Sequence, residues 1–377
     1  MTAPRIEIDL SKIRHNTQCL VARLKSRGIK VTAVTKAVCG HPKIAQAMLD
    51  GGAVGLAEAR ISNVERLRKA GITSLISLIR TPMPNQASQV VRSCDTSYNS
   101  EMEVIARLAN AARKVRSVHR IMLMVEMGDM RDGIMPENVE DIARQITTMP
   151  GVILTGIGAN FACLSGTLPD AAKMTALSAI ASDIEAAGRF VLETVSGGNS
   201  ANLSWALGPY STKRNNNLRL GEAILLGVEP VSGEKITGLF TDAFTLIAKV
   251  IEAKVKPVPA NVFCADPTLR ALGLTAANIP SMRSILAIGK QDTDISGLTL
   301  PKGVKCLGAS SDHMVVQTLR SHPSVGSELR LQMNYSALMR AMNAPDITKS
   351  ILSAPAFCDR GVALLHEHAY QDFRGTA

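Results

Sequence analysis

Eight short apolar runs, each followed by room for a helix, constrain this chain more than any other feature. They fall at 30–35, 54–57, 74–78, 95–98, 120–126, 152–157, 190–196 and 217–220. Several of the gaps open on helix-start signals: Pro42 after His41, Ser100 with Glu103 in capping-box spacing, and Pro136-Glu137. Strands alternating with helices imply a parallel sheet, and eight such units imply a closed barrel. The expected fold class is therefore α/β, a (β/α)8 TIM barrel over residues 11–230.

The remainder of the chain has a different texture. Residues 5–10 alternate Ile6, Ile8 and Leu10 with charged neighbours, the period of a half-buried strand. Beyond Gly221 comes the run Phe244-Thr245-Leu246-Ile247-Ala248-Lys249-Val250-Ile251, then short apolar stretches between Pro and Gly clusters, which reads as an all-β second domain. The expected β-rich domain covers 231–349 after a linker near Glu229–Lys235, with the strand in 1–10 pairing into it. Residues 350–377 read as a peripheral tail. Its His366-Glu367-His368 lacks nearby thiols or further carboxylates, so no metal is assigned.

Composition excludes several function classes. With 377 residues, 46% of them apolar, the chain can fill two cores. Its net charge of +10 invites a nucleic-acid reading, but the longest basic clusters are Arg66-Leu67-Arg68-Lys69 and Lys213-Arg214, and aromatic residues for stacking amount to 3%. No nucleic-acid partner is expected. The opening MTAPRIEIDL lacks an apolar signal core, and no apolar run is long enough to span a bilayer. Seven cysteines, at 19, 39, 94, 163, 264, 306 and 358, are odd in number and thinly spread. That suits reduced thiols and a cytoplasmic protein without a membrane partner.

The working groups of such a barrel lie at the C-terminal ends of its strands, and phosphate is commonly held by the loops after strands seven and eight. The first run ends in Thr35-Lys36, and a lysine there can become a nucleophile if desolvation lowers its pKa. Arg131, in Gly128-Asp129-Met130-Arg131-Asp132-Gly133, can grip a carboxylate through two parallel bonds, or be simply an exposed loop arginine. Asn160 brings an amide to the mouth after the sixth run. The seventh run enters Ser196-Gly197-Gly198-Asn199-Ser200 and the eighth Asn217-Leu218-Arg219-Leu220-Gly221-Glu222. Both are phosphate-type loops in the places the barrel rule indicates.

These segments, with Thr35-Lys36-Ala37-Val38-Cys39-Gly40 and Gly308-Ala309-Ser310-Ser311-Asp312-His313, resemble the alanine/ornithine racemase family in order and spacing over roughly residues 4 to 340. The resemblance implies a fold-type III barrel followed by a β-domain, a head-to-tail homodimer with shared active sites, and pyridoxal 5′-phosphate as cofactor. It implies that Lys36 carries the cofactor and that Arg219 faces the pyridine nitrogen. Arginine keeps its proton, so the ring becomes a weaker electron sink than it is beside a carboxylate. Asn160, Ser196, Asn199, Ser200, Gly221, Glu222 and Tyr335 are the further cofactor residues expected, Gly221 and Glu222 through backbone N–H. Arg131 is expected on the substrate carboxylate.

The resemblance also has a gap. Alanine racemase places a partner-subunit tyrosine opposite the lysine within Gly-Tyr-Ala-Asp-Gly, whereas the corresponding stretch here is Gly289-Lys290-Gln291-Asp292. Lys290, Asp312 and His313 are the candidates for the second base. The expected function is interconversion of L- and D-amino acids, with a basic substrate such as ornithine or lysine whose distal amine meets Asp312 or, second, Asp292. A fold-type III decarboxylase is the enzymatic alternative, and a pyridoxal-phosphate homeostasis protein the non-enzymatic one. An aldolase on the same scaffold would normally add a divalent metal, for which no ligand set is evident.

Overall fold

The computed structural model describes residues 3–188, 190–257, 280–318 and 323–352. The strand β1 (Arg5–Ile8) leads into α1 (Leu10–Lys25), whose first turn is capped by Asp9 accepting from the backbone N–H of Ser11 at 2.9 Å and Lys12 at 3.1 Å. That carboxylate satisfies donors that would otherwise lack partners. Ile13, Leu20 and Leu24 form the buried stripe of α1.

Eight parallel strands then close into a barrel: β2 (Lys30–Val34), β3 (Gly55–Glu58), β4 (Ile76–Leu78), β5 (Thr96–Asn99), β6 (His119–Met124), β7 (Val152–Gly158), β8 (Thr194–Ser196) and β9 (Asn217–Leu220). Closure comes from β9 pairing with β2, with Arg219 in register with Thr32. The intervening helices are α2 (Pro42–Asp50), α3 (Ile61–Lys69), α4 (Ala87–Ser93), α5 (Met102–Lys114), α6 (Val139–Thr147), α7 (Ala171–Gly188) and α8 (Leu203–Leu207), and α9 (Glu222–Leu226) follows the last strand. Pro42 does occupy the first turn of α2, where its missing N–H removes nothing. The capping box at Ser100 and Glu103 does not form: the residue ahead of α5 is Glu101, with no side-chain cap.

The second sheet runs in the order β12 (Leu298–Thr299), β15 (Glu328–Met333), β10 (Phe244–Pro257), β11 (Pro280–Leu286), β14 (Met314–Thr318), β13 (Val304–Ala309). The opening strand joins it: β1 is antiparallel to β10, with Arg5 opposite Ile247, and parallel to β16 (Thr348–Ile351). Both faces of β1 are covered rather than one. Arg5 and Glu7, 8% and 9% exposed, pair at 2.7 Å, and each also reaches a charge on β15, Glu328 at 2.7 Å and Arg330 at 2.8 Å. Mutual neutralisation lets charged positions sit inside.

This sheet region also contains a helix that an all-β reading omits. In α10 (Tyr335–Asn343), Asn334 accepts from the Ala337 N–H at 2.9 Å, and Ala337, Leu338, Ala341 and Met342 are buried at helical spacing. The helix packs on the turn formed by Lys36–Val38. The strand β16 runs two residues into the stretch read as tail, and His366-Glu367-His368 lies outside the described residues. Among the described residues no helix is long and apolar enough to cross a membrane.

Candidate active site

The C-terminal ends of the barrel strands surround a cavity of about 870 Å³, room for a cofactor together with a small substrate. Lys36 enters it from the turn after β2. Its neighbour Thr35 donates to buried Glu58 at 2.9 Å, tying that turn to the end of β3. Desolvation lowers the Lys36 pKa, and the positive charges of Arg131 and Arg219 act in the same direction. More of the lysine is therefore present as the free amine.

Arg219, on β9, is held from several sides. It donates to Ser196 Oγ at 2.5 Å, Ala159 O at 2.6 Å and Asn160 Oδ1 at 3.0 Å, and its guanidinium lies 5.1 Å from the centre of the Tyr98 ring. Ser196 passes the chain on to Asn217 Oδ1 at 2.7 Å, and Asn217 to Thr32 Oγ1 at 2.9 Å. A guanidinium so fixed presents its charge without having to reorganise. On the other side, Asn160 donates to Asp132 Oδ1 at 3.0 Å, which also accepts from Arg131 Nε at 2.8 Å. Arg219 and Arg131 are thus linked through one amide and one carboxylate.

The loops after β8 and β9 meet where Ser200 Oγ accepts from the Ala223 N–H at 3.3 Å. Asn199 fastens the first of them to the loop after β7 by donating to Phe161 O at 2.8 Å and to Cys163 Sγ at 3.3 Å. From the second domain α10 brings Tyr335 into the same cavity, its hydroxyl pKa raised by burial and by Glu222.

Lys36, Arg131, Asn160, Asn199, Ser200, Arg219, Gly221, Glu222 and Tyr335 therefore share one cavity. Ser196 does not line it and reaches it only through Arg219. Lys290, Asp292, Asp312 and His313 lie elsewhere, in loops between strands of the second sheet. Lys290 N–H donates to Ser310 O and Gln291 N–H to Ser311 O, both at 2.9 Å, so the loops 289–292 and 310–313 form one edge. Asp292 is buried and accepts from the Gly289 N–H at 2.8 Å, holding its own turn. Asp312 is exposed and pairs with His313 at 2.8 Å.

Sequence reasoning did not single out Tyr98, Arg80, Cys163 or Glu58. Tyr98 lies in the fourth apolar run, so the strand-end rule could have found it; Cys163 and Arg80 lie in loops that carry no comparable signal. No group of three His, Cys, Asp or Glu side chains among the described residues is placed to hold a metal ion.

The donor set suits an anionic, aromatic cofactor bound through a lysine. Among the described residues four cations line the cavity against three carboxyls, a hydroxyl joins the loops after β8 and β9, and the Arg219 guanidinium is held rigid at the wall. Such a barrel with its β-domain defines a fold-type III pyridoxal-phosphate enzyme. The chain belongs to the alanine racemase family, matching Alanine racemase, N-terminal domain over residues 8–230, and the cofactor of that family is pyridoxal 5′-phosphate. It is 35% identical to a lysine racemase of Thermotoga maritima over 93% of this chain and 98% of the relative. It is 32% identical to an ornithine racemase of Acetoanaerobium sticklandii over 93% and 99%. Among solved structures, an alanine racemase from Streptomyces lavendulae has a TM-score of 0.73 at 20% identity, covering 94% of this chain and 99% of that one. A D-threonine aldolase from Filomicrobium marinum also scores 0.73, at 15% identity, covering 93% and 91%. The scaffold thus serves more than one chemistry, and fold alone does not choose between them.

Proposed function

We propose that this chain is a cytoplasmic, homodimeric racemase that interconverts the L and D forms of a dibasic amino acid, lysine or ornithine. The observation that carries the reading is the near full-length match to lysine and ornithine racemases, joined to a cavity in which Lys36 and Arg219 face the same space. The five described cysteines are free thiols, in keeping with a reducing compartment.

Lys36 would hold the cofactor covalently, with Arg219 at the ring nitrogen and Ser200, Tyr335 and the Gly221 and Glu222 backbone at the phosphate. Once bound, pyridoxal phosphate supplies the electron withdrawal that lets the Cα proton leave. The work of the protein is orientation and proton transfer. Arg131, braced by Asp132, receives the substrate carboxylate and fixes which bond at Cα faces Lys36. As a free amine Lys36 would take or return a proton on its own face, and its lowered pKa suits that role near neutral pH. Arg219 keeps its own proton, which favours return of a proton to Cα over loss of carbon dioxide. The opposite face needs a second group, and Lys290, Asp312 and His313 of a second copy are the candidates.

Incubation of L-lysine, L-ornithine and L-alanine with the holoenzyme in deuterium oxide tests the reading. The expected product is the D-enantiomer carrying deuterium at Cα, formed fastest from a dibasic substrate. Release of carbon dioxide with a diamine product would assign the chain to the decarboxylases instead.

A further inference from the structure

A dibasic substrate brings a distal ammonium into a cavity already lined by Lys36, Arg80, Arg131 and Arg219. Removing that charge from water is costly unless an acid meets it. Three acids line the cavity among the described residues: Glu101, Asp132 and Glu222. Asp132 is already committed to Arg131 and Asn160. Glu101 is exposed, where water screens a charge pair to little value. That leaves Glu222.

Glu222 opens α9 directly after Gly221, is half-buried, and makes no side-chain hydrogen bond or ion pair with a described residue. The titratable groups facing it are Glu229 from the segment after α9, Lys36 from the turn after β2, and Tyr335 from α10. Burial and the like charge of Glu229 push its carboxyl up to about 7, against the opposing pull of Lys36. The carboxyl feels the Lys36 charge but has no cation in direct contact among the described residues.

We propose that Glu222 is the specificity residue that receives the distal ammonium of a dibasic amino acid. This rests on the racemase reading above and moves amine recognition from Asp312, exposed on the other domain and already paired with His313, to a side chain inside the cavity. The backbone N–H of Glu222 remains available to the phosphate, so one residue serves cofactor and substrate through different atoms.

The test compares lysine with norleucine, a side chain similar in reach but lacking the amine, by titrating the cofactor absorbance of the holoenzyme. In Glu222→Gln the apparent Kd for lysine should rise about 30-fold or more. The norleucine Kd and the affinity for pyridoxal phosphate should stay within about twofold, since the substitution leaves shape and backbone intact. Equal loss for both amino acids, or weakened cofactor binding, would overturn the assignment by showing that Glu222 serves the cofactor or the fold. Collapse of the lysine preference in Asp312→Asn while Glu222→Gln retains it would overturn it in favour of the other domain. Absence of a lysine preference in the unaltered enzyme would bring down the dibasic-substrate reading itself, a failure visible before any substitution is made.

Discussion

Lys36 and Glu222 line the same cavity, and their pKa values shift in opposite directions for one reason. Burial disfavours the charged form of each, lowering the lysine and raising the acid. For Lys36, borohydride reduction of the holoenzyme should fix the cofactor to the chain, and Lys36→Ala should yield no fixed adduct by intact mass. An adduct persisting in that variant would mean another lysine carries the cofactor. For Glu222 the consequence is a pH profile. An ammonium pairs with the ionised carboxylate, so lysine preference over norleucine should fall as pH drops through about 7, and Glu222→Gln should flatten that dependence. A profile unchanged by the substitution would place the titrating group elsewhere. Of these two residues only the lysine was legible in the sequence for its chemistry. Its place at a strand end indicates a role, whereas Glu222 was read through its backbone because a carboxyl beside a phosphate loop gives no hint of where its side chain points.

At the scale of elements, the barrel strands could be read because each is a contiguous apolar run between helix-length gaps, a purely local signal. What could not be read depends on contacts distant in sequence. The strand β1 looks half-exposed by alternation, yet Arg5 and Glu7 are buried because Glu328 and Arg330, more than three hundred residues away, complete a charge network. The helix α10 had its cap and its apolar spacing, but it lies among strands and the surrounding pattern obscured it. Loop pairing is likewise invisible in sequence. Gly289 belongs where it is because a Cβ there would come within 2.2 Å of the Ser311 carbonyl oxygen. Gly289→Ala should therefore part the loops carrying Lys290 and Asp312-His313, costing roughly 1–3 kcal/mol in stability by thermal unfolding. If those loops serve catalysis, kcat should fall as well. Unchanged stability and kcat would show that the loops adapt and that their register is immaterial.

At the scale of the whole molecule, the cavity and the second-sheet edge are incomplete in complementary ways. The cavity holds Lys36, proposed for one face of Cα, but none of the residues proposed for the other, while the edge gathers Lys290, Asp312 and His313 in two hydrogen-bonded loops outside this cavity. A head-to-tail pair of copies would bring each edge to the other's barrel, and a twofold arrangement makes the exchange reciprocal. Mixing two defective proteins tests this directly. Lys36→Ala lacks the lysine proposed to hold the cofactor, and a variant with Lys290, Asp312 and His313 all changed to alanine lacks every residue proposed as the opposite base. Each alone should be nearly inactive. Refolded or co-expressed together, a random mixture is half heterodimer, and each heterodimer contains one site with Lys36 from one chain and the intact edge from the other. About one quarter of all sites should then be whole, restoring roughly a quarter of wild-type activity. Heterodimers verified by native mass spectrometry that remain inactive would show that the edge does not act on a neighbour, and the second base would have to be sought within the barrel itself, beginning with Cys163 at the cavity wall.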